Sequence, residues 1–391
     1  MANNNDKKVL NVPALRFPEF TGEWEIVSLK DIAVVNPKSE PLLNKFFYID
    51  LESVEKGELK KIQEILQEEA PSRAQRVISN NDILFQCVRP YQKNNYIHRV
   101  KNTSNIQWIA STGYAQIRTT ESPNYIYHLL NTDGFNRKVM VRCTGSSYPA
   151  INSEDLSAIR FYLSTDKKEQ CKIARLLDLL DERISTQNKI IEDLKKLKSA
   201  IIDKLYSSTN GETYSFRQLF EVVNEKNKAR AYKNVLSASQ ELGMIERSDI
   251  NIDIKFEQES ISGYKIVRKG DYVVHLRSFQ GGFAFSDRTG ICSPAYIILR
   301  PNDLVVYSYL SHYFTSKPFI KSLKLVTYGI RDGRSINVDE WLDMPILLPP
   351  AQEQIRILTI VNAIDAKLHN EVKVQFCLSS QKSYLLNTMF I

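Results

Sequence analysis

Cysteine is scarce in this chain. Five occur among 391 residues, at Cys87, Cys143, Cys171, Cys292 and Cys377. The number is odd and no two are close, which argues against a disulfide framework and against a paired-cysteine zinc site. A reducing cytosol is the simplest compartment, so the expected localisation is cytoplasmic. Long apolar runs are missing as well. No stretch approaches 18 uncharged apolar residues, so no transmembrane helix and no membrane partner are expected. The opening MANNNDKKVLNVPALRF lacks the apolar core of a signal peptide. Signatures of nucleotide and metal chemistry are absent too. There is no Gly-Lys dipeptide and hence no Walker loop, no GxGxxG and no HExxH, and the five histidines are scattered. No metal site, no cofactor and no catalytic residue are expected. Neither sign of charge dominates: 52 Lys and Arg stand against 45 Asp and Glu, for a formal charge of +7. That mild excess fits a nucleic-acid partner without establishing one.

What is present is an ordinary globular composition, 43% hydrophobic and 25% charged, enough for two or three domains at roughly 150 residues each. Its strongest feature is an internal repeat. EQCKIARLLDLLDERI at 169–184 is answered by EQIRILTIVNAIDAKL at 353–368, an offset of 184. At that offset Glu169, Gln170, Ile173, Asp181, Lys189, Leu194, Lys198 and Ser199 meet identical residues. Upstream, Asp82 corresponds to Asp271, Arg118 to Arg300, and Ile151–Asn152 to Ile336–Asn337. The order is kept throughout, so we read two repeats, about 24–206 and 214–390, each a globular part followed by a long helix.

Apolar residues of the first helix fall at Ile173, Leu177, Leu180, Ile184, Ile191, Leu194, Ile201 and Leu205, with Gln187 and Lys198 as polar interruptions. This is a heptad seam. The second copy uses Ile357, Val361, Ile364, Leu368, Leu378, Leu385 and Met389, with Glu371, Gln375 and Lys382 in register. Asp166 and Glu169 have capping-box spacing at the first start, and Pro349–Pro350 mark the second. If the helices pair antiparallel with Gln187 opposite Glu371, then Ile173 meets Leu385, Leu180 meets Leu378, Leu194 meets Ile364 and Ile201 meets Ile357. The alternative is two helices packed separately on their own globular parts. STNGE at 208–212 is the expected linker. The globular parts read as mixed: RKGDYVVHLRS, ICSPAYIILRP and MPILLP predict short strands, and 53–70 predicts a solvated, charged stretch or surface helix. The expected fold is α+β, with recognition-sized domains at 1–165 and 208–348, long helices at 166–207 and 349–391, and pseudo-two-fold symmetry.

Two like modules on one rod suit a quasi-symmetric ligand such as duplex DNA. Because the modules differ in sequence, an asymmetric, bipartite site is expected. Loops rich in Arg, Gln, Ser and Tyr are the candidate contacts, since Arg and Gln make two-point contacts to base edges and the others reach phosphates. In the first copy these are Gln86, Arg89, Lys93 and Arg99, then Arg142, Ser146, Ser147 and Tyr148. In the second they are Arg277, Gln280, Arg331 and Arg334. For each, the competing reading is a solvated surface residue. Asp50 with Glu58-x-Lys60 imitates a nuclease pattern, and Asn36–Pro37 imitates a methyltransferase pocket, but both are incomplete. An enzyme with degenerate motifs, either a nuclease or a methyltransferase, and a coiled-coil scaffold without nucleic acid stay open as alternatives.

Tandem halves, each ending in a helix that opens with Glu-Gln, resemble the specificity subunit of type I restriction–modification enzymes. LRFPEFTGEWEIVSLKDI at 15–32 and PILLPPAQEQIRI at 345–357 are similar to that family's conserved segments. The resemblance covers nearly the whole chain. It implies two target recognition domains, each reading half of a split double-stranded DNA site. It implies helices that space them and dock two adenine methyltransferase (M) subunits, with two motor–nuclease (R) subunits joining the complex. It also implies that this chain supplies no catalysis itself.

Overall fold

The computed structural model describes residues 11–100, 106–239, 242–249, 258–275, 282–328 and 335–391. The chain divides into two compact units. Unit 1 comprises Met1–Asn188 with Lys373–Ile391, and unit 2 comprises Lys189–Val372. Each unit is a mixed α+β body that includes a length of both long helices, Lys167–Ser207 and Ala351–Thr388. Among the described residues, no helix is long and apolar enough to cross a membrane.

Unit 1 contains two four-stranded sheets. One orders its strands Gln63–Leu66, Lys45–Ile49, Gln107–Ser111, Ala74–Ile78, and the other Ala33–Val35, Tyr114–Thr119, Ile83–Gln86, Tyr96–Ile97. A separate antiparallel pair, Glu25–Ser28 with Arg160–Leu163, leads into the first long helix. Unit 2 repeats this pair as Glu212–Ser215 with Pro345–Leu348. It also repeats the second sheet, as Phe220–Val223, Ile297–Pro301, Tyr272–Val274, Phe283–Phe285. In both units the leading strand ends at a serine whose backbone N–H is accepted three residues on, by Asp31 for Ser28 and by Gln218 for Ser215, each at 2.7 Å. That reciprocal cap starts the short turn of helix and aims the chain into the next strand.

The cores follow from the apolar seams. In unit 1, Ile173 and Leu177 of the first long helix and Met389 and Phe390 at the chain's end join Trp24, Phe85 and Phe135. In unit 2, Ile202 meets Ile357 and Val361 beside Phe216, Phe314 and Trp341. Phe216 stacks on the Trp341 indole at 4.3 Å between centroids. Each fully buried aliphatic side chain of this kind stabilises by roughly 2 kcal/mol. The helices are therefore not packed separately: within each unit, the beginning of one lies against the end of the other, antiparallel.

Ion pairs also join the two helices within each unit. In unit 1 Lys382 pairs with Asp181, and in unit 2 Lys198 pairs with Asp365 at 2.5 Å. Ile173, Leu385 and Met389 belong to the same apolar core of unit 1. The seam expected from the sequence comprises Ile173, Leu180, Gln187, Leu194 and Ile201 of the first helix and Ile357, Ile364, Glu371, Leu378 and Leu385 of the second. All of these seam residues remain buried or half-buried, whereas Leu179, Ile190 and Leu197 on the other face are exposed.

Two local expectations also change. Residues 53–70 form no surface helix longer than the single turn Gln67–Glu69. Val54–Glu55 and Glu58–Leu59 make a hairpin, and Gln63–Leu66 extends a sheet by pairing with Lys45–Ile49. Gly57, at φ +83, permits the tight turn, and the alternating apolar residues match a half-buried edge. Here Glu58 binds Lys60 and Asp50 caps Ser53, so the nuclease-like pattern is spent on local turns. The capping box at the first long helix is only half made. Asp166 accepts from Lys168 N at 2.7 Å, but Glu169 turns away to Arg16.

Candidate nucleic-acid interface

The loop after strand Ile83–Gln86 is built around Gln86. Its side chain accepts from Asn94 N at 3.0 Å and donates to Gln92 Oε1 at 2.9 Å, while its backbone N–H donates to Asn95 Oδ1 at 2.8 Å. Gln86 is thus buried as the loop's internal brace. Arg89 and Lys93 flank the short turn Pro90–Gln92, both with left-handed backbone at φ 54 and φ 52. Few side chains tolerate that conformation, and it is held here by the bonds around Gln86.

The second candidate loop closes by a bridge between Thr144 and Ala150, with Gly145 at φ +88 making the turn. Ala150 also bridges Val88, and Arg89 N donates to Pro149 O at 2.8 Å. Two stretches read as separate candidates are therefore one continuous surface. On it the Arg89 guanidinium lies over the Tyr148 ring, 4.4 Å from the centroid, a cation–π contact that fixes the direction of both side chains. They stand at a cavity of about 780 Å³ whose lining also includes Arg73, Gln86, Asn94 and Thr112. Arg73, Asn94 and Thr112 were not singled out in the sequence. They come from three different segments, and no local pattern marks them.

The remaining candidates divide. Ser146 and Ser147 are exposed beside Tyr148. Arg142 is exposed and donates to Lys138 O at 2.9 Å. Lys93 is occupied within the unit, by Asp133 at 2.5 Å and Asn131 O at 3.2 Å. Arg99 binds Asp178 of the first long helix at 2.8 Å. That carboxylate also meets His128 Nε2 at 2.9 Å. Burial holds His128 below its ordinary pKa, although Asp178 opposes the shift. Arg99 thus ties the globular part to the helix, which competes with a DNA contact. Arg277, Gln280, Arg331 and Arg334 lie outside the described residues.

The sequence profile of the type I restriction modification DNA specificity domain matches residues 21–196 and again 211–375. The chain belongs to the type I restriction–modification specificity family. No curated protein sequence matches it significantly. Among solved structures, it is similar to a chain from work titled "Structural basis underlying complex assembly and conformational transition of the type I R-M system". That match has 20% identity and a TM-score of 0.61, and covers 94% of this chain and 97% of that one. It is also similar to the S subunit of the type I system from M. genitalium, at 13% identity and a TM-score of 0.55, covering 97% and 99%. At these identities the likeness concerns the fold.

The two family domains show what most of the internal repeat encodes. Arg118 clasps the buried Asp82 carboxylate with two bonds of 2.8 and 2.7 Å. Arg300 does the same to Asp271 at 2.9 and 3.0 Å. Gln170 donates to Ser164 O at 2.7 Å and accepts from Ser122 N, while Gln354 donates to Pro349 O at 2.9 Å and accepts from Val306 N. Asn152 and Asn337 each cap a short helix, accepting from Asp155 N and Glu340 N. The repeated residues are scaffold.

Proposed function

We propose that this chain is the non-catalytic DNA-reading subunit of a type I restriction–modification complex. Each unit reads one half of an asymmetric, interrupted duplex site. The long helices space the two readers and dock two adenine methyltransferase subunits, to which two motor–nuclease subunits add. The observation that carries the reading is the fused loop surface of unit 1. Arg89 is held over Tyr148 at the mouth of a cavity, with the exposed Ser146 and Ser147 alongside. An arginine so oriented can make the two-point contact to guanine that duplex readers use most, and the serines suit phosphates. The net charge of +7 favours the same ligand. The work takes place in the cytoplasm, where the DNA is.

The test is a genome-wide map of N6-methyladenine in the source cell, with and without this gene. Loss of a single asymmetric, interrupted motif on deletion is the expected result. An unchanged map in a cell whose methyltransferase partner is expressed and active would contradict the proposal.

A further inference from the structure

The unit 1 cavity carries charge of both signs. Glu52 and Glu55 line it together with Arg73 and Arg89. Among the described residues no ion pair joins any of the four, and the contact of Arg89 is the Tyr148 ring. Their backbones are nonetheless fixed. Glu55 precedes the two-residue turn Lys56–Gly57, both at positive φ, 49 and 83, the geometry of a tight hairpin. Lys56 N donates to Asn94 Oδ1 at 3.0 Å, which ties this hairpin to the Arg89 loop. A side chain at Gly57 would collide with the Tyr127 hydroxyl, so the hairpin sits close on the body of the unit. Glu52 N donates to Asp50 Oδ1 at 3.1 Å, within the turn that Ser53 closes.

Exposed carboxylates on a surface that meets DNA repel phosphates and lower non-specific affinity. In the groove they have one good partner class, an amino group on a base, and the cytosine N4 amino group is the donor that glutamate accepts from. Arg89 offers the complementary two-point donor for guanine O6 and N7. A cavity that presents an acceptor and a forked donor together matches the major-groove edge of a G·C pair. It does not match the uniform phosphate backbone. We propose that Glu52 and Glu55 are specificity-determining residues that accept from a cytosine amino group, so that with Arg89 they direct unit 1 to a half-site containing a G·C pair. This rests on the DNA-reading function proposed above.

The test uses the full chain assembled with its methyltransferase subunits and a duplex library randomised across both half-sites. Wild type should require G·C at one or more positions of one half-site. Glu52→Ala with Glu55→Ala should relax that requirement roughly ten-fold or more, while binding unrelated duplex more tightly. The other half-site should be selected as before. Glu52→Gln with Glu55→Gln should move the preference from cytosine toward adenine, whose edge suits an amide. Unfolding midpoints check that both double variants fold, as expected for exposed side chains. Three results would overturn the inference: an unaltered G·C requirement in the folded double-alanine variant, a wild-type half-site for unit 1 without G·C, or equal loss at both half-sites. If the wild-type complex selects no bipartite sequence at all, the DNA-reading function itself fails and this assignment falls with it.

Discussion

Glu169 and Glu353 open the two long helices at equivalent positions, yet their surroundings differ. Glu169 is fully buried, held by Arg16 at 2.6 and 2.9 Å, by the Trp24 indole N–H at 3.1 Å, and by Ser164 Oγ. Among the described residues Glu353 pairs only with its helix neighbour Arg356, and it is partly exposed. Counting back from the capping serines Ser28 and Ser215, the place of Trp24 is taken in the second copy by Gly211. A side chain at Gly211 would run into the Leu348 carbonyl. The hydroxyl of Ser164 also has no counterpart in Leu348–Pro349. By contrast, Asp82–Arg118 and Asp271–Arg300 are the same clasp twice. The lesson is that a repeated residue keeps its role when its partner is repeated too. When the partner comes from a segment found in one copy only, the same residue becomes a surface group.

The largest effect expected from this difference is on stability. Glu169→Ala leaves the Arg16 guanidinium, 13% exposed, without its carboxylate, and removing one partner of such a pair costs about 3 kcal/mol. Glu353→Ala removes an exposed helix pair and should change stability by less than about 0.5 kcal/mol. Urea unfolding of both variants measures the gap, and equal losses would break the comparison.

Acid should also separate the units. His98 is buried against Trp108, and burial lowers its pKa from the ordinary 6.5 to about 4. His128, also in unit 1, is lowered by burial as well. In unit 2 His312 is lowered, again chiefly by burial. Between about pH 6.5 and 4, the unfolded chain binds more protons at His98 than the folded chain does, so stability rises with pH. The contribution is complete above 6.5 and is lost as pH falls toward 4, on the order of 3 kcal/mol for His98. Hydrogen exchange at pH 7 and pH 5 should show unit 1 losing more protection than unit 2. Equal losses would mean that His98 is not buried as described.

The smallest difference is expected where the copies agree. Asp82→Asn and Asp271→Asn each weaken a charge-assisted double bond to a half-exposed arginine, and each should cost about 2 kcal/mol. Unfolding midpoints shifted by the same amount in both variants would confirm that the clasp is one device used twice. A loss in one alone would show that its sequence match is incidental.

Much of this fold was legible because repetition and periodicity are local. The seams from Ile173 to Leu205 and from Ile357 to Met389 announced two long helices, and the matched Asp, Arg, Gln and Asn residues announced two like halves. Helix register was harder to read. It depends on how alternating steps of three and four meet when one helix is reversed, which the spacing of one helix alone does not fix. The site was legible in part. Arg89 and Tyr148 stood in recognisable loops, but their meeting depends on the bridge from Val88 to Ala150 across the unit. Glu52, Glu55 and Arg73 reach the same cavity through hairpin and sheet geometry that charge-rich sequence does not display. The ion pair of Arg99 was not legible, because its partner, Asp178, is distant in sequence.

The central claim is that the two copies share a scaffold and read DNA separately. Replacing residues 213–345 with those of another family member, in the intact complex, tests it most directly through the methylation map. One half of the interrupted motif should change and the other should stay as in wild type. A motif altered in both halves, or unaltered in either, would contradict the account.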